Sequence, residues 1–465
     1  MNEAPSANAA ENLRRDALRI WQAGVEAVRS DRLVMENVTV DGDLLSVAGE
    51  ELSLSQIRRI AVVGGGRAGA GMAAGLQAAL GAELCRTKQL QGWINVPAGC
   101  ESPDPAASPA PLQAIHLHAA RPAGVNEPRT EGVEGSREIL ELVSSLGPND
   151  LCICLLSGGG SALMPLPAEG ISLADKLHVT RHLSGAGANI IELNTVRKHL
   201  SQIKGGGLLR ACRAGRLITL VISDVIGDPL DVIASGPTVP DSSTTQEALA
   251  VLEKYGSREA GISSAVFAAL EHAAPRQPAT CAHSIHVIGN NAVAVDAAGQ
   301  EAEKLGYSAA LDAATKLEPE AEQVGRHLAD MALRMRSAPQ PDCLITGGEP
   351  VVKLADAAIR GKGGRNQQLA LAALERLMPA GLHGLVLLSG GTDGEDGPTD
   401  AAGAFIDETV CQAAQAQGLD PSDYLRRNDA YHFFEPLKAL IQTGPTHTNV
   451  CDLRVVLVAR PSGGP

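Results

Sequence analysis

Aromatic side chains make up only 2% of this sequence: two tryptophans, four tyrosines and four phenylalanines among 465 residues. So few rings leave no stacking platforms of the kind that single-stranded nucleic-acid binders use. A formal net charge of −14 also argues against a polyanionic partner, so no nucleic acid is expected. The nine cysteines are odd in number and scattered, and they form no paired CxxC motifs. They read as reduced structural thiols rather than zinc ligands or disulfides. No apolar run reaches the roughly 18 residues of a membrane-spanning helix. The polar segment 1–12 lacks the apolar core of a secretory leader, so the expectation is a cytoplasmic protein with no membrane partner. The GKS or GKT ending of a Walker A loop is missing throughout. An acidic chain that binds a small anion must gather its own cations, which makes local clusters of Arg and Lys the features to find.

With 44% hydrophobic and 20% charged residues the composition is globular. The length exceeds the roughly 250 to 300 residues at which single cores stop growing, so two domains are expected. Short apolar runs recur and end in glycine: 57–66, 151–162, 217–228, 284–291, 342–350 and 384–397. Between them lie segments such as "AVAVDAAGQEAEKLG" and "NQQLALAALERL" with helical spacing. Buried apolar strands alternating with helices indicate parallel sheet covered on both faces. The expected fold is therefore two three-layer α/β/α domains, the first built on a Rossmann-like parallel sheet. Proline-rich stretches interrupt the pattern at 96–113 and 273–283; the second suggests a boundary near 283, giving domains 1–283 and 284–465.

In open α/β sheets ligands bind beyond the carboxyl ends of strands, where these glycine turns fall. The first turn, "VVGGGRAGAG", fits G-x-G-x-x-G at Gly64, Gly66 and Gly69. The acidic residue that should end the next strand of a dinucleotide site is absent from "GWINVPAGC". Gly65, Gly66 and Arg67 instead suit an anion cradle or a tight turn. The second turn, Ser157, Gly158, Gly159, Gly160 and Ser161, offers backbone donors flanked by hydroxyls. In "ELNTVRKHLSQIKGGG" a helix would place Val196, Leu200 and Ile203 on one face and Arg197, Ser201 and Lys204 on another. Lys204 then runs into Gly205, beside exposed backbone donors. Two acidic turns follow strands: Asp224, Asp228 and Asp231, then Asp393, Glu395, Asp396 and Asp400. Carboxylates beside phosphate-binding glycines suit Mg²⁺, which takes one or two protein oxygens and completes its shell with phosphate and water. Glu349 in "GGEPVV" and Arg365 and Asn366 in "GGRNQ" complete the inventory.

In these motifs the sequence resembles the class II glycerate kinases, with a MOFRL-type C-terminal domain. The carriers are "SGGGSAL", "ELNTVRKHLSQIKGGGL", "SDVIGDPLDVIASGPTVPD", "GGEPVV", "GGRNQ", "LSGGTDGEDGPTDAAGA" and "TGPTHTNV", in the family's order over most of the chain. The resemblance implies two α/β domains with the active site in the cleft between them. It also implies ATP-dependent phosphorylation of D-glycerate to 2-phosphoglycerate or 3-phosphoglycerate, with ATP and Mg²⁺ as the cofactors. A related sugar acid as substrate, or hydroxypyruvate reduction with NAD(P)H, is the alternative. The family's catalytic lysine and arginine fall at Arg67 and Arg365, with Asp224 and Lys204 as further catalytic candidates. Gly65, Gly66, Ser157 to Ser161 and Asn366 would bind phosphate or nucleotide, Arg197 and Glu349 the substrate, and Asp228 and Asp393 the metal. Departures from the family pattern are Arg67 for lysine, Gln368 for Glu, His447 for Gly, and "HAARPAG" in place of a His-Pro segment after the third strand. A homo-oligomer is left open.

Overall fold

The computed structural model describes residues 7–102, 112–122, 125 and 127–459; most of the proline-rich stretch at 96–113 lies outside them. The chain forms two compact units. One comprises residues 30–288, and the other joins residues 289–459 to the helix Ala7–Ala27. A boundary at 283 alone would assign that helix to the first domain. Its apolar stripe of Leu13, Ala17, Ile20, Trp21 and Val25 is instead buried in the core of the second unit. Trp21 Nε1 donates to the Gly390 carbonyl at 3.4 Å, and Arg14 pairs with Asp407. The stripe is legible in the sequence, but the surface it covers is not.

The first unit opens with the helix Ser30–Asn37 and an antiparallel meander of β1 (Val38–Asp41), β2 (Leu44–Val47) and β3 (Glu50–Ser53). Its main sheet contains β4 (Arg59–Gly65), β5 (Gln91–Pro97), β6 (Ile115–Arg121), β7 (Asp150–Leu156), β8 (Arg216–Ile222) and β9 (Ala282–Gly289). The strand order is β6-β5-β4-β7-β8-β9, and the pairs from β6 through β8 are parallel. β7 is buried along its whole length, and β4 and β8 along all but their first residue. That explains why these strands read as continuous apolar runs. The chain moves outward from β4 through β5 to β6, then returns to the other side of β4 with β7. The order thus reverses between β4 and β7, the topological switch point at which such sheets bind ligands.

A smaller apolar cluster, including Val179, Leu183, Val196, Leu252 and Phe267, joins the helices Leu173–Gly185, Ile190–His199, Thr245–Lys254 and Ser264–Glu271. The first two carry cations that matter below. The basic helix stops at His199 rather than running to Lys204, because the backbone turns to pair elsewhere. Ala168 N–H donates to Leu200 O, and Gln202 N–H to Leu166 O. Tertiary pairing overrides helical spacing here, although Val196, Leu200 and Ile203 are all buried as the spacing requires.

The second unit holds β10 (Ala309–Asp312), β11 (Cys343–Gly348), β12 (Leu385–Gly391), β13 (Gly403–Asp407), β14 (Leu440–Ile441) and β15 (Asp452–Val458). Their order is β10-β11-β15-β12-β13-β14. Only β10 and β11 run parallel; the remaining pairs are antiparallel. The parallel sheet is thus that of the first unit, as expected, and the second sheet is mixed. Continuous apolar runs report burial on both faces and carry no direction, and here the last strand, β15, inserts between β11 and β12. The helix pair Ala7–Ala27 and Asn291–Lys304, and the pair Ala321–Arg336 and Arg365–Leu377, flank this sheet. No helix among the described residues is long and apolar enough to cross a membrane.

The meander is tied to the main sheet of the first unit through Glu50, which pairs with Arg216 of β8 and accepts from His286 Nε2 of β9 at 2.7 Å. Burial opposes ionisation of Glu50, but these partners outweigh it and hold its carboxyl down at about 2, against 4.5 unperturbed. A depressed carboxyl contributes stability above its unfolded value and loses it as pH falls through the folded one. Thermal melts should therefore show a stability loss between about pH 4.5 and pH 2 that is reduced in Glu50→Gln. Equal acid sensitivity of the two proteins would contradict this.

Candidate functional site

The turns after β4 and β7 lie side by side, because Gly65 and Leu156 are registered neighbours in the parallel ladder. Ala68 N–H donates to Ser157 Oγ at 3.0 Å, and Arg67 N–H to the Gly158 carbonyl at 2.9 Å. The approach is so close that a Cβ on Gly66 would sit 2.0 Å from Ser157 Oγ, and one on Gly158 would sit 2.0 Å from Asp224 Oδ2. Glycine is required at both positions for steric reasons. The side chain of Arg67 is exposed at the rim of this junction.

A cavity of about 350 Å³ opens beside the second turn. Its walls include Ser157 to Ser161, Asp224, Lys176, Arg181, Arg197 and Lys204. Ser161 is the hub. Lys204 Nζ donates to its Oγ and to its carbonyl, both at 2.6 Å, and Arg197 Nη2 donates to the same Oγ at 2.6 Å. Ser235 Oγ stands 2.9 Å away on a backbone with φ of +62°, in the left-handed region. Arg197 and Lys204 thus converge as the sequence reading requires, although only Arg197 lies on the helix.

These cations are poorly compensated. Burial drives the Lys204 ammonium far below its usual range, and Arg197 and Lys176 add to the effect. Lys176 is 9% exposed, donates to the Pro165 carbonyl at 3.2 Å, and is pulled down to about 7 by burial reinforced by Arg197. Arg181 is the exception, paired with Glu127 at 2.9 Å. A pocket that concentrates uncompensated cations around exposed backbone donors is electrostatically prepared for an anion.

The acidic residues divide by role. Asp224 lines the cavity. Asp228 follows on a turn with φ of +52°. Asp231 is engaged by Lys198 at 3.1 Å and so stabilises the loop. Asp393 belongs to the second unit, where its carbonyl accepts from Thr446 N–H and its Oδ1 from Glu395 N–H. Among the described residues, no three His, Cys, Asp or Glu side chains gather as a metal-ligand set. A cation carried by nucleotide phosphates requires only one or two protein carboxylates, a number that Asp224 and Asp228, both following β8, can supply.

In the second unit Arg365 opens the helix Arg365–Leu377. Its Nε donates to Asp452 Oδ2 at 2.8 Å, its Nη2 to Asp452 Oδ1 at 3.0 Å, and its Nη1 to Glu349 Oε1 at 2.9 Å. Burial opposes its charge, but these carboxylates prevail and strengthen it. Asp396 accepts the N–H groups of Asn366 and Gln367 at 3.0 and 2.9 Å, capping that helix. Burial nevertheless raises its carboxyl to about 7, against the opposing pull of those two N–H groups. Asn366 Nδ2 reaches Asp452 at 3.0 Å, and its Oδ1 accepts from Ser389 at 2.6 Å. Asn366 is therefore a buried structural bridge in this network.

Gln368 donates to Glu322 and to the Leu425 carbonyl, a packing role. His447 has φ of +58°, which explains why glycine suits that position. Sequence reasoning passed over Lys176, Arg181, Ser235 and Asp452. Asp452 carried a usable signal, an acid opening an apolar strand just after the last motif. Lys176 carried none, since it is one lysine on an ordinary helix.

Residues 16–271 match the family described as a domain of unknown function, DUF4147, and residues 342–452 match the MOFRL family. That pairing defines a class of two-module α/β proteins. The chain is 39% identical over 452 residues to the D-glycerate 2-kinase of Thermotoga maritima, covering 96% of this chain and 99% of the relative. It is 36% identical over 491 residues to the glycerate kinase of Bos taurus, covering 95% and 92%. A crystal structure of glycerate kinase from Thermotoga maritima matches with a TM-score of 0.81 at 38% identity, over 97% of this chain and 100% of that one. The chain belongs to the class II glycerate kinase family.

Lys176 gives the cavity a defined pH response. Protonated below about 7 and neutral above it, it should make sulfate binding weaken about tenfold between roughly pH 6 and 8. Calorimetric titration should show this slope in the natural chain and a flattened one in Lys176→Met. A pH-independent affinity in the natural chain would contradict it.

Proposed function

We propose that this chain transfers the γ-phosphoryl group of ATP to a hydroxyl of D-glycerate. The observation that carries the reading is the convergence of Lys204, Arg197 and Lys176 on a cavity walled by the Ser157–Ser161 turn at the switch point of a parallel sheet. Phosphoryl transfer leaves little covalent work to the enzyme, so positioning and charge stabilisation dominate. The Gly158–Ser161 backbone donors and the cavity cations hold negatively charged oxygens, and the buried walls strengthen each interaction. Arg67, exposed at the junction of the two turns, stabilises charge on the transferring group. Asp224 is the carboxylate assigned to the acceptor hydroxyl's proton. Gly65 and Gly66 supply the close backbone approach at the first turn. Arg197 is assigned to the substrate carboxylate. Glu349 orients Arg365, as its hydrogen bond indicates.

Asp228, which follows β8 in the first unit, is the residue proposed to hold Mg²⁺ there. When bound, that ion neutralises charge on the nucleotide's phosphates.

Arginine at position 67 keeps the charge and adds a planar fork, but it cannot exchange a proton near neutral pH. Its role is therefore electrostatic. A coupled assay of ADP release, screened over D-glycerate and related hydroxy acids, should give turnover that requires both the acid and Mg²⁺. NADH oxidation with hydroxypyruvate in the absence of ATP should be nil. No ADP release with any acid would overturn the proposal. Arg67→Lys should lower kcat about tenfold or more if the fork is used in the transition state; an unchanged or higher kcat would show that the fork is dispensable.

A further inference from the structure

Arg121 ends β6, the edge strand of the first unit's sheet, and is 3% exposed. Its Nη1 donates to the Val125 carbonyl, while its buried Nε has no hydrogen-bond partner among the described residues. Such an unpaired buried donor is costly unless something else uses it. The side chain points at the second glycine turn. A Cβ on Gly159, where φ is +79°, would lie 3.2 Å from Arg121 Nη2 and 3.7 Å from Arg67 Nε. Two guanidinium groups, one ending β6 and one in the turn after β4, strands that are not neighbours in the sheet, therefore flank one point that only glycine leaves open.

Among the described residues, no acidic group acts on Arg121. Burial weakens the charge of Arg121 first, and Arg67 weakens it further by repulsion. Among the described residues, the one favourable partner acting on it is the Cys100 thiol, and no carboxylate contributes. Like charges held this close over backbone donors are stabilised by an anion between them. A guanidinium fork meets two oxygens of a carboxylate or phosphoryl group at once. Arg121 and Arg67 are absent from the walls of the cavity that holds Lys176, Arg197 and Lys204. They therefore define a second anion position on the Gly159 turn, which also walls that cavity.

We propose that Arg121 and Arg67 form a two-arginine clamp over Gly159 that grips an oxyanion of the reacting pair, and that Arg121 sets which anion-bearing substrate is accepted. The identity of that oxyanion, hydroxy-acid carboxylate or phosphoryl group, rests on the kinase reading above. The grip itself is a binding property that needs no turnover.

The test is calorimetric titration of the full chain at low ionic strength with inorganic phosphate and, separately, D-glycerate. Arg121→Gln should weaken at least one probe about 10- to 100-fold, and Arg121→Lys should recover only part of the loss because it lacks the fork. Without ligand, Arg121→Gln should melt no lower than the natural chain, since a repulsive contact is removed. Loss confined to phosphate assigns the clamp to the phosphoryl end, loss confined to glycerate assigns it to the carboxylate, and loss of both assigns a shared position. Unchanged affinity for both probes overturns the clamp. So does a lower melting temperature in Arg121→Gln with full recovery by Arg121→Lys, which marks a structural cation. Absence of ADP release from the natural chain would overturn the kinase reading instead, leaving the titrations to decide the clamp on their own.

Discussion

The contact between the turns after β4 and β7 is the constraint on which the first unit's site depends. Ser157 Oγ accepts the Ala68 N–H, and a Cβ on Gly66 would lie 2.0 Å from that oxygen. The two turns can lock together only because Gly66 carries no side chain at the crossing. Once locked, they fix the path of Gly158 to Ser161 and present the Ser161 hydroxyl to Lys204 and Arg197. Positions far apart in sequence are thus brought to one place by a backbone contact, with the cations following from it.

The cation cluster around Ser161 in the first unit and Arg365 in the second are treated in opposite ways. In the first, Lys176, Arg197 and Lys204 lose charge stability to burial, and the cavity they line includes one carboxylate, Asp224, besides the Glu127 that pairs with Arg181. In the second, Arg365 is clasped by Asp452 and Glu349 and its charge is reinforced. An undercompensated cluster gains free energy when an anion enters, whereas a compensated arginine gains orientation. For a chain with net charge −14 the first arrangement is the means of attracting a negatively charged substrate at all.

Much of this was legible in the sequence. The glycines that end β4, β11 and β12 and follow β7 reflect close backbone approach at strand ends, and the apolar runs mark the strands because burial on both faces leaves no alternation. Arg197 and Lys204 could be paired from their spacing, even though the helix ends between them. Strand direction in the second sheet was not legible, since apolar content does not encode polarity. Neither was the placement of the helix Ala7–Ala27, whose stripe fits any apolar surface. Lys176 and Arg121 escaped for a related reason. Each is a lone cation in an unremarkable segment and acquires meaning only from neighbours far away in the chain.

The central claim is that the glycine turn beside Ser161 holds the phosphate oxygens of the nucleotide. A crystal structure with a non-hydrolysable ATP analogue and D-glycerate tests it most directly. Phosphate oxygens within hydrogen-bond distance of the Gly158–Ser161 backbone N–H groups are the predicted result. Phosphates bound elsewhere, with that turn contacting neither ligand, would contradict it.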